Sequence, residues 1–323
     1  ASPMQMDALM DYAFTFFEIS ALLLTFVLGA VIVAVVYMYI ADVTQTKQTI
    51  RRNYPVIGRF RYFFEHLGEF FRQYFFALDR EELPFNRAQR SWVYRAAKDL
   101  DSTVAFGSTL PMNQPGDIIF LNGLFPPLDE EIRPRSEITF GEGFARTPYA
   151  TTSFFNISAM SFGALSAPAI SALSRGAAEA GIWLNTGEGA ISPYHLEGGC
   201  DLVFQIGTAK YGVRNENGEL DDDKLRAIAA LDSVRLFEIK LSQGAKPGKG
   251  GILPGAKVTD IIASTRGITA GLDSISPNRH PELRTIDDLL DMILRVREVT
   301  GKPTGIKAVI GQAEWLDEFC RRI

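Results

Sequence analysis

The residues of this 323-residue chain that could do chemistry gather in three glycine-rich stretches. They are SAMSFGALSAPA (158–169), NTGEGAISPYH (185–195) and IKLSQGAKPGKGGILPGAKVTDIIASTRGI (239–268). Each polar cluster begins where a short strand-like run ends. Ser161 and Gly163 follow FNISAM (155–160), residues 186–189 follow 182–185, and residues 242–251 follow LFEIKL (236–241). Loops after parallel strands are where α/β proteins build small-molecule active sites. Other chemistries are excluded by spacing or supply. No Gly-x-Gly-x-x-Gly follows a strand, and KPGKGG (246–251) lacks the spacing of a nucleotide-phosphate loop. Cys200 and Cys320 cannot form a disulfide scaffold or a four-cysteine centre. His66, His195 and His280 leave little for a histidine-rich metal site, and no metal is expected within this chain.

The elements that must position these loops alternate. Runs at 155–160, 182–185, 203–206, 236–241 and 304–310 read as strands. Between them, 166–180, 221–230, the segment opening at Thr259, and 286–299 read as helices, with another at 312–322. Ser166 and Thr285 stand at N-cap positions, and Asp287 and Asp288 sit in the first turn of their helix, where the backbone dipole favours acids. Such alternation predicts a parallel sheet. An open doubly wound sheet and a (β/α)8 barrel both fit it; the loop chemistry and the missing dinucleotide fingerprint favour the barrel. Residues 106–152 are rich in Pro, Gly and turn signals and read as a linker.

The N-terminal third differs. Residues 19–41 contain no charge and are long enough for a transmembrane helix, leaving 1–18 as an extracytoplasmic N-terminus. The overall net charge of −5 hides an acidic start, a basic middle and an acidic body. Residues 47–100 hold eleven Lys/Arg against six Asp/Glu. Lys47, Arg51, Arg52, Arg59 and Arg61 follow the apolar run, so the positive-inside rule places the rest of the chain in the cytoplasm, on a single-pass anchor in the inner membrane. A basic stretch between acidic ones points to a local anionic partner, membrane lipid, while the acidic whole argues against nucleic acid. FRYFFEHLGEFFRQYFFAL (60–78) has an aromatic face at helical spacing. It fits a helix on the inner leaflet and equally a helix packed on the following domain. Together, 42–105 reads as a basic, aromatic, helical adaptor.

The three glycine-rich stretches together resemble the FMN-binding synthase domain of glutamate synthases. SPNRH (276–280) and the apolar anchor are similar to a stand-alone, membrane-anchored subgroup without an amidotransferase domain. The resemblance implies a (β/α)8 barrel over 153–323, preceded by the anchor and adaptor. It implies FMN as cofactor, with Met160, Ser161 and Gly163 against the flavin and Lys307 at its pyrimidine edge. It implies reductive amination of 2-oxoglutarate to glutamate through 2-iminoglutarate. Lys240 and Glu188 would be catalytic, and Gln243, Lys246 and Arg266 would hold the dicarboxylate substrate. Ammonia would be the nitrogen source, since the chain has no N-terminal catalytic cysteine. The two cysteines cannot supply the family's three-cysteine cluster. A membrane quinone and a ferredoxin-like partner both remain open as electron donor.

Two departures matter. Where amidotransferase-linked enzymes have Glu-Gly-Gly-Gln, this chain has Lys249-Gly250-Gly251-Ile252, which removes an amide donor and adds a cation. The length from Phe154 to the end is also short of the roughly 250 residues of a full barrel. About half a barrel is expected, without the phosphate loops that follow the last strands; a missing C-terminal half or a homo-oligomer would complete it. Two alternatives stay open: a non-catalytic membrane-attached binding or assembly protein, and a flavoenzyme acting on another carboxylate.

Overall fold

The computed structural model describes residues 3–76, 78, 80–101, 113–119, 121, 123–132 and 137–323. The chain divides into two compact units, Ala1–Asn122 and Gly123–Ile323.

In the first unit, α1 (Pro3–Thr44) is one continuous helix. The expected extracytoplasmic tail is thus helical from Pro3 on. Residues Phe14–Thr44 are long and apolar enough to cross a bilayer. Two short turns on, α2 (Thr49–Asn53) and α3 (Ile57–Phe71) fold back beside the end of α1. Their junction is tied by one carboxylate. Asp42, fully buried, accepts from Arg51 Nε at 2.9 Å, from Arg59 Nε and Nη2 at 2.8 Å each, and from the Val56 N–H at 3.0 Å. Val56 has φ of 66°, a region unfavourable for a β-branched residue, and its N–H is pinned to Asp42. The helix expected over 60–78 ends at Phe71 and passes into a π-turn, Arg72–Phe76. That wider turn keeps Phe75 and Phe76 near the Phe71 ring, with centroids 5.6 and 6.4 Å away. α4 (Arg87–Ala96) opens with a reciprocal cap between Asn86 and Gln89.

The second unit is mixed α/β around a parallel sheet. β1 (Ile138–Phe140) and β2 (Tyr149–Thr151) form an antiparallel hairpin within the stretch expected to be a linker. Three-residue strands are too short to show a period. Of that stretch, 106–112, 120, 122 and 133–136 lie outside the described residues. There follow α5 (Ala167–Ala180), β3 (Leu184–Asn185), α6 (Pro193–Leu196), β4 (Leu202–Ile206), α7 (Asp222–Ala229) and β5 (Val234–Lys240). An excursion carries β6 (Ile252–Leu253), α8 (Asp260–Arg266) and β7 (Ser274–Ile275), with β6 and β7 antiparallel. The chain then forms α9 (Ile286–Thr300), β8 (Thr304–Lys307) and α10 (Glu314–Arg322). The sheet order is β3-β4-β5-β8, all parallel. FNISAM is not a full strand. It joins the sheet through one bridge, Ile157 to Leu184, extended by the Met160 N–H donating to the Asn185 carbonyl at 3.0 Å.

The two sheet faces differ in chemistry. Toward α7 and α9, Phe204, Ile206, Phe237 and Ile239 pack with Leu225, Met292 and Val296. The opposite face is graded along the strands. At their amino ends Val203 and Leu236 pack with Tyr149, Phe140 and Trp183, so the β1–β2 hairpin plugs that end. At their carboxyl ends the same face carries Asn185, Gln205, Glu238, Lys240 and Lys307, because register partners such as Gln205/Glu238 and Lys240/Lys307 share a face.

Hydrogen bonds to a charged group contribute about 1.5–3 kcal/mol each. Asp42→Ala should therefore speed amide exchange at Val56 by about 10- to 100-fold, measured by hydrogen–deuterium exchange on the full chain. Unchanged exchange would mean the carboxylate does not hold this junction.

Candidate active site

β3, β4 and β5 end side by side, and the residues just beyond them meet. Glu188 lies in the short turn Gly187–Gly189 after β3. Its Oε1 and Oε2 each accept from Gln243 Nε2 at 2.8 Å. Lys240, the last residue of β5, places Nζ 3.3 Å from Glu188 Oε2 and 2.9 Å from Gln243 Oε1. The three form a closed triangle of acid, amide and ammonium, largely withdrawn from solvent: Lys240 and Glu188 side chains are 14% and 21% exposed. Close backbone approach makes room for it. A Cβ at Gly207, just after β4, would fall 2.5 Å from Glu188 Cβ, and one at Gly251 would fall 2.8 Å from Glu188 Oε1.

Two members of the triangle, Glu188 and Gln243, line a cavity of about 250 Å³, and Lys240 braces them. Lys246, Lys257 and Arg266 contribute its cations, and Ser161, Gly163, Ser274 and Ser276 contribute to the rest. Arg266 is buried at the end of α8. Its Nη1 donates to Ser274 Oγ at 3.2 Å and its Nη2 to the Phe162 carbonyl at 3.1 Å, while Nε is buried without a partner. The guanidinium lies 5.3 Å from the Tyr211 ring centroid, and Tyr211 Oη is 2.7 Å from Ser274 Oγ. Burial pushes the Arg266 pKa down, opposed by the field of Tyr211 and Glu188. No carboxylate forms an ion pair with Arg266 among the described residues. A buried cation with an unspent donor at a cavity wall is a ready anion partner.

The residues expected to act together are divided between two hollows. Ser161 and Gly163 share the cavity with Glu188, Gln243, Lys246 and Arg266. Lys307 lines a neighbouring hollow of about 430 Å³ with Asn185, Glu238 and residues 156–159. Lys240 is paired in register with Lys307 and bonded to Glu188, and so stands between the two. Met160 is held from both sides. Its N–H is bonded to Asn185 and its carbonyl to His195 Nε2 at 2.8 Å, so its backbone is already occupied and its side chain packs between two apolar clusters. The added cation Lys249 does not line the cavity; Ile252 does.

Sequence reasoning missed Lys257, Tyr211, Ser274, Asn185, Gln205 and Glu238. One signal was available for the last of these. In FEIK (237–240) the polar residues recur at period two inside an otherwise apolar strand, which marks a polar face. Lys257 and Ser274 carried no local signal. Antiparallel pairing of β6 with β7 brings that whole excursion onto the cavity.

Two buried histidines brace the site. His195 is fully buried in α6 and bonds Ser192 and Met160. His280 Nε2 lies 2.9 Å from the Lys240 carbonyl, and its Nδ1 has no partner. Desolvation holds both imidazoles below their ordinary 6.5, each partly opposed by its backbone hydrogen bond. The unfolded chain therefore takes up protons that the folded one refuses. The associated stability is whole above 6.5 and drains as pH falls below it toward the folded values. Thermal unfolding followed from about pH 8 to about pH 5 should give a level Tm that declines once the medium is more acidic than 6.5. A Tm level throughout would mean neither ring is held neutral.

Comparison with known proteins matches residues 134–317 to a family model described as a conserved region in glutamate synthase. The glutamate synthase large subunit-like protein YerD of Bacillus subtilis is 36% identical over 92% of this chain and 64% of its own length. A glutamate synthase large subunit-like protein of Rhizobium meliloti is 35% identical over 55% of this chain and 37% of its own. The archaeal-type glutamate synthase [NADPH] of Thermotoga maritima is 40% identical over 46% of this chain and 27% of its own. The chain thus spans less than two thirds of each of these relatives.

Proposed function

The chain belongs to the glutamate synthase family, and on that premise we propose that it is the membrane-anchored, FMN-binding part of an oxidoreductase that aminates 2-oxoglutarate. One observation carries the reading. Glu188 and Gln243, braced by Lys240, line one small cavity with the buried cation Arg266 at the carboxyl ends of parallel strands. Sequential strand order and the longer relatives support a (β/α)8 barrel over 153–323, begun here and continued beyond β8. The basic residues after α1 support a single inner-membrane span with the barrel on the cytoplasmic side. They leave 1–18 outside and make 42–105 the adaptor.

The residues fit an isoalloxazine ring. Its pyrimidine edge carries carbonyl acceptors and an N–H donor. Lys307 supplies a cation beside a hollow of ample size, and Gln205 Oε1, buried on the same face, is an acceptor without a partner. Lys307, Asn185, Ser161 and Gly163 would hold the flavin. A flavin held there would supply, when reduced, the hydride equivalent that an imine carbon needs.

This chain's own side chains do the rest. Arg266 and Lys246 take the two carboxylates of the substrate, and Gln243 aligns the triangle beneath it. Amine addition to the 2-oxo carbon releases one proton and loss of water consumes one; Glu188 takes and returns that proton. Lys240 holds Glu188 in place with a positive charge 3.3 Å away. Ile252, where related enzymes have an amide donor, favours a second reading: a carboxylate substrate with a less polar arm than 2-oxoglutarate.

The full chain mixed with FMN and freed of excess should show a flavin band at about 450 nm; a colourless product overturns flavin binding. Lys246→Ala should weaken 2-oxoglutarate binding about 10- to 100-fold with flavin retained, read by titration calorimetry. Loss of flavin with unchanged 2-oxoglutarate binding would reverse the role assigned to Lys246. Tighter binding of a monocarboxylic 2-oxo acid than of 2-oxoglutarate would select the second reading.

A further inference from the structure

The active-site reading leaves the basic stretch of the first unit unused. On α4, Arg87, Arg90, Tyr94 and Arg95 lie on adjoining rows of one helix face, and Lys98 follows in the turn just past its end. With Tyr74 of the π-turn they line a cavity of about 480 Å³. Four cations and no carboxylate line it. Arg90 is already paired with Glu82 at 2.9 Å, and Arg95 is tied to the Asp101 carbonyl. Lys98 makes no ion pair among the described residues. With Arg90 matched by Glu82, Arg95 and Lys98 remain exposed cations of the lining whose charge a bound anion would complement. Two tyrosines beside the cations add hydroxyl donors suited to phosphate oxygens.

The same unit says where that anion comes from. Asp42 ties α3 to the end of the apolar helix. Along α3 and the π-turn, Phe60, Phe63, Phe64, Phe70 and Phe75 are exposed, a face suited to the boundary between headgroups and acyl chains. A helix resting there brings Tyr74, at its far end, to headgroup level, and α4 with it. We infer that the cavity between the π-turn and α4 binds the phosphodiester headgroup of an anionic phospholipid. The bilayer as source rests on α1 being a span; the phosphodiester chemistry rests on the cavity alone.

Soluble short-chain lipids separate the two. The full chain in neutral maltoside micelles is titrated with short-chain phosphatidylglycerol, short-chain phosphatidylcholine and inorganic phosphate, and bound species are read by native mass spectrometry. Saturable phosphatidylglycerol binding, not displaced by equimolar phosphate and at least about tenfold tighter than phosphatidylcholine, is the expected result. Lys98→Gln, an exposed position, should weaken it roughly fivefold, and Arg95→Gln with Lys98→Gln roughly fivefold further, with an unchanged melting temperature. Equal binding of the two lipids, or Lys98→Gln binding like the parent, overturns the site. Displacement by equimolar phosphate overturns the lipid assignment in favour of a soluble phosphate. Whether α1 crosses a membrane is read separately, by resistance of the membrane-bound chain to carbonate extraction.

Discussion

Asn185, Gln205, Glu238, Lys240 and Lys307 stand on one face of a parallel sheet, a place where each polar group costs free energy unless it finds a partner. Parallel sheets are usually apolar on both faces. Here the strands change character along their length. The hairpin β1–β2 covers the apolar end with Phe140 and Tyr149, and at the polar end several side chains bond one another. Glu238 accepts from Asn185 at 2.8 Å and from Gln205, and Lys240 turns to Glu188 and Gln243. The loops after β3, β4 and β5 are thereby drawn to one point. Glycines at 207 and 251 let the backbone come close enough for the triangle to close.

A second consequence is electrostatic. Glu188 is engaged by Lys240, Arg266 is buried with no carboxylate partner among the described residues, and Lys246 and Lys257 stand at the same cavity. A site with surplus buried positive charge is arranged for a carboxylate substrate, since the ligand completes what the fold leaves incomplete. The first unit applies the same logic with opposite outcomes. Asp42 is surrounded by Arg51 and Arg59 and needs nothing more, whereas the cations of α4 are gathered around an open hollow.

Much of this was legible in the residues. Alternating apolar runs and capped helices located β4, β5, α5, α7 and α9 to within a few positions, because hydrophobic period and capping chemistry are local. The three glycine-rich stretches pointed to the loops that meet, and the resemblance they carry named Glu188, Gln243, Lys246 and Arg266, which line one cavity, and Lys240, which is bonded to two of them. The hairpin at 138–151 was not legible, since six paired residues show no pattern. Nor was the strand-like segment 155–160, which is held by a single bridge and side bonds to β3.

What the sequence determined by itself was the inventory and its order: one apolar helix, a basic aromatic middle, strand–helix alternation, and chemistry after strand ends. These follow from burial and from backbone hydrogen bonding over a few residues. What only the tertiary structure decided was who faces whom. Met160 spends its backbone on Asn185 and His195, Lys307 lies in a hollow apart from Arg266, Lys249 stays outside the cavity, and Lys257 and Ser274 enter it. Those outcomes depend on strand register and on the pairing of β6 with β7, contacts between residues far apart in the chain. No local pattern encodes them, because shifting a strand by one residue leaves its composition unchanged and turns every side chain to the other face.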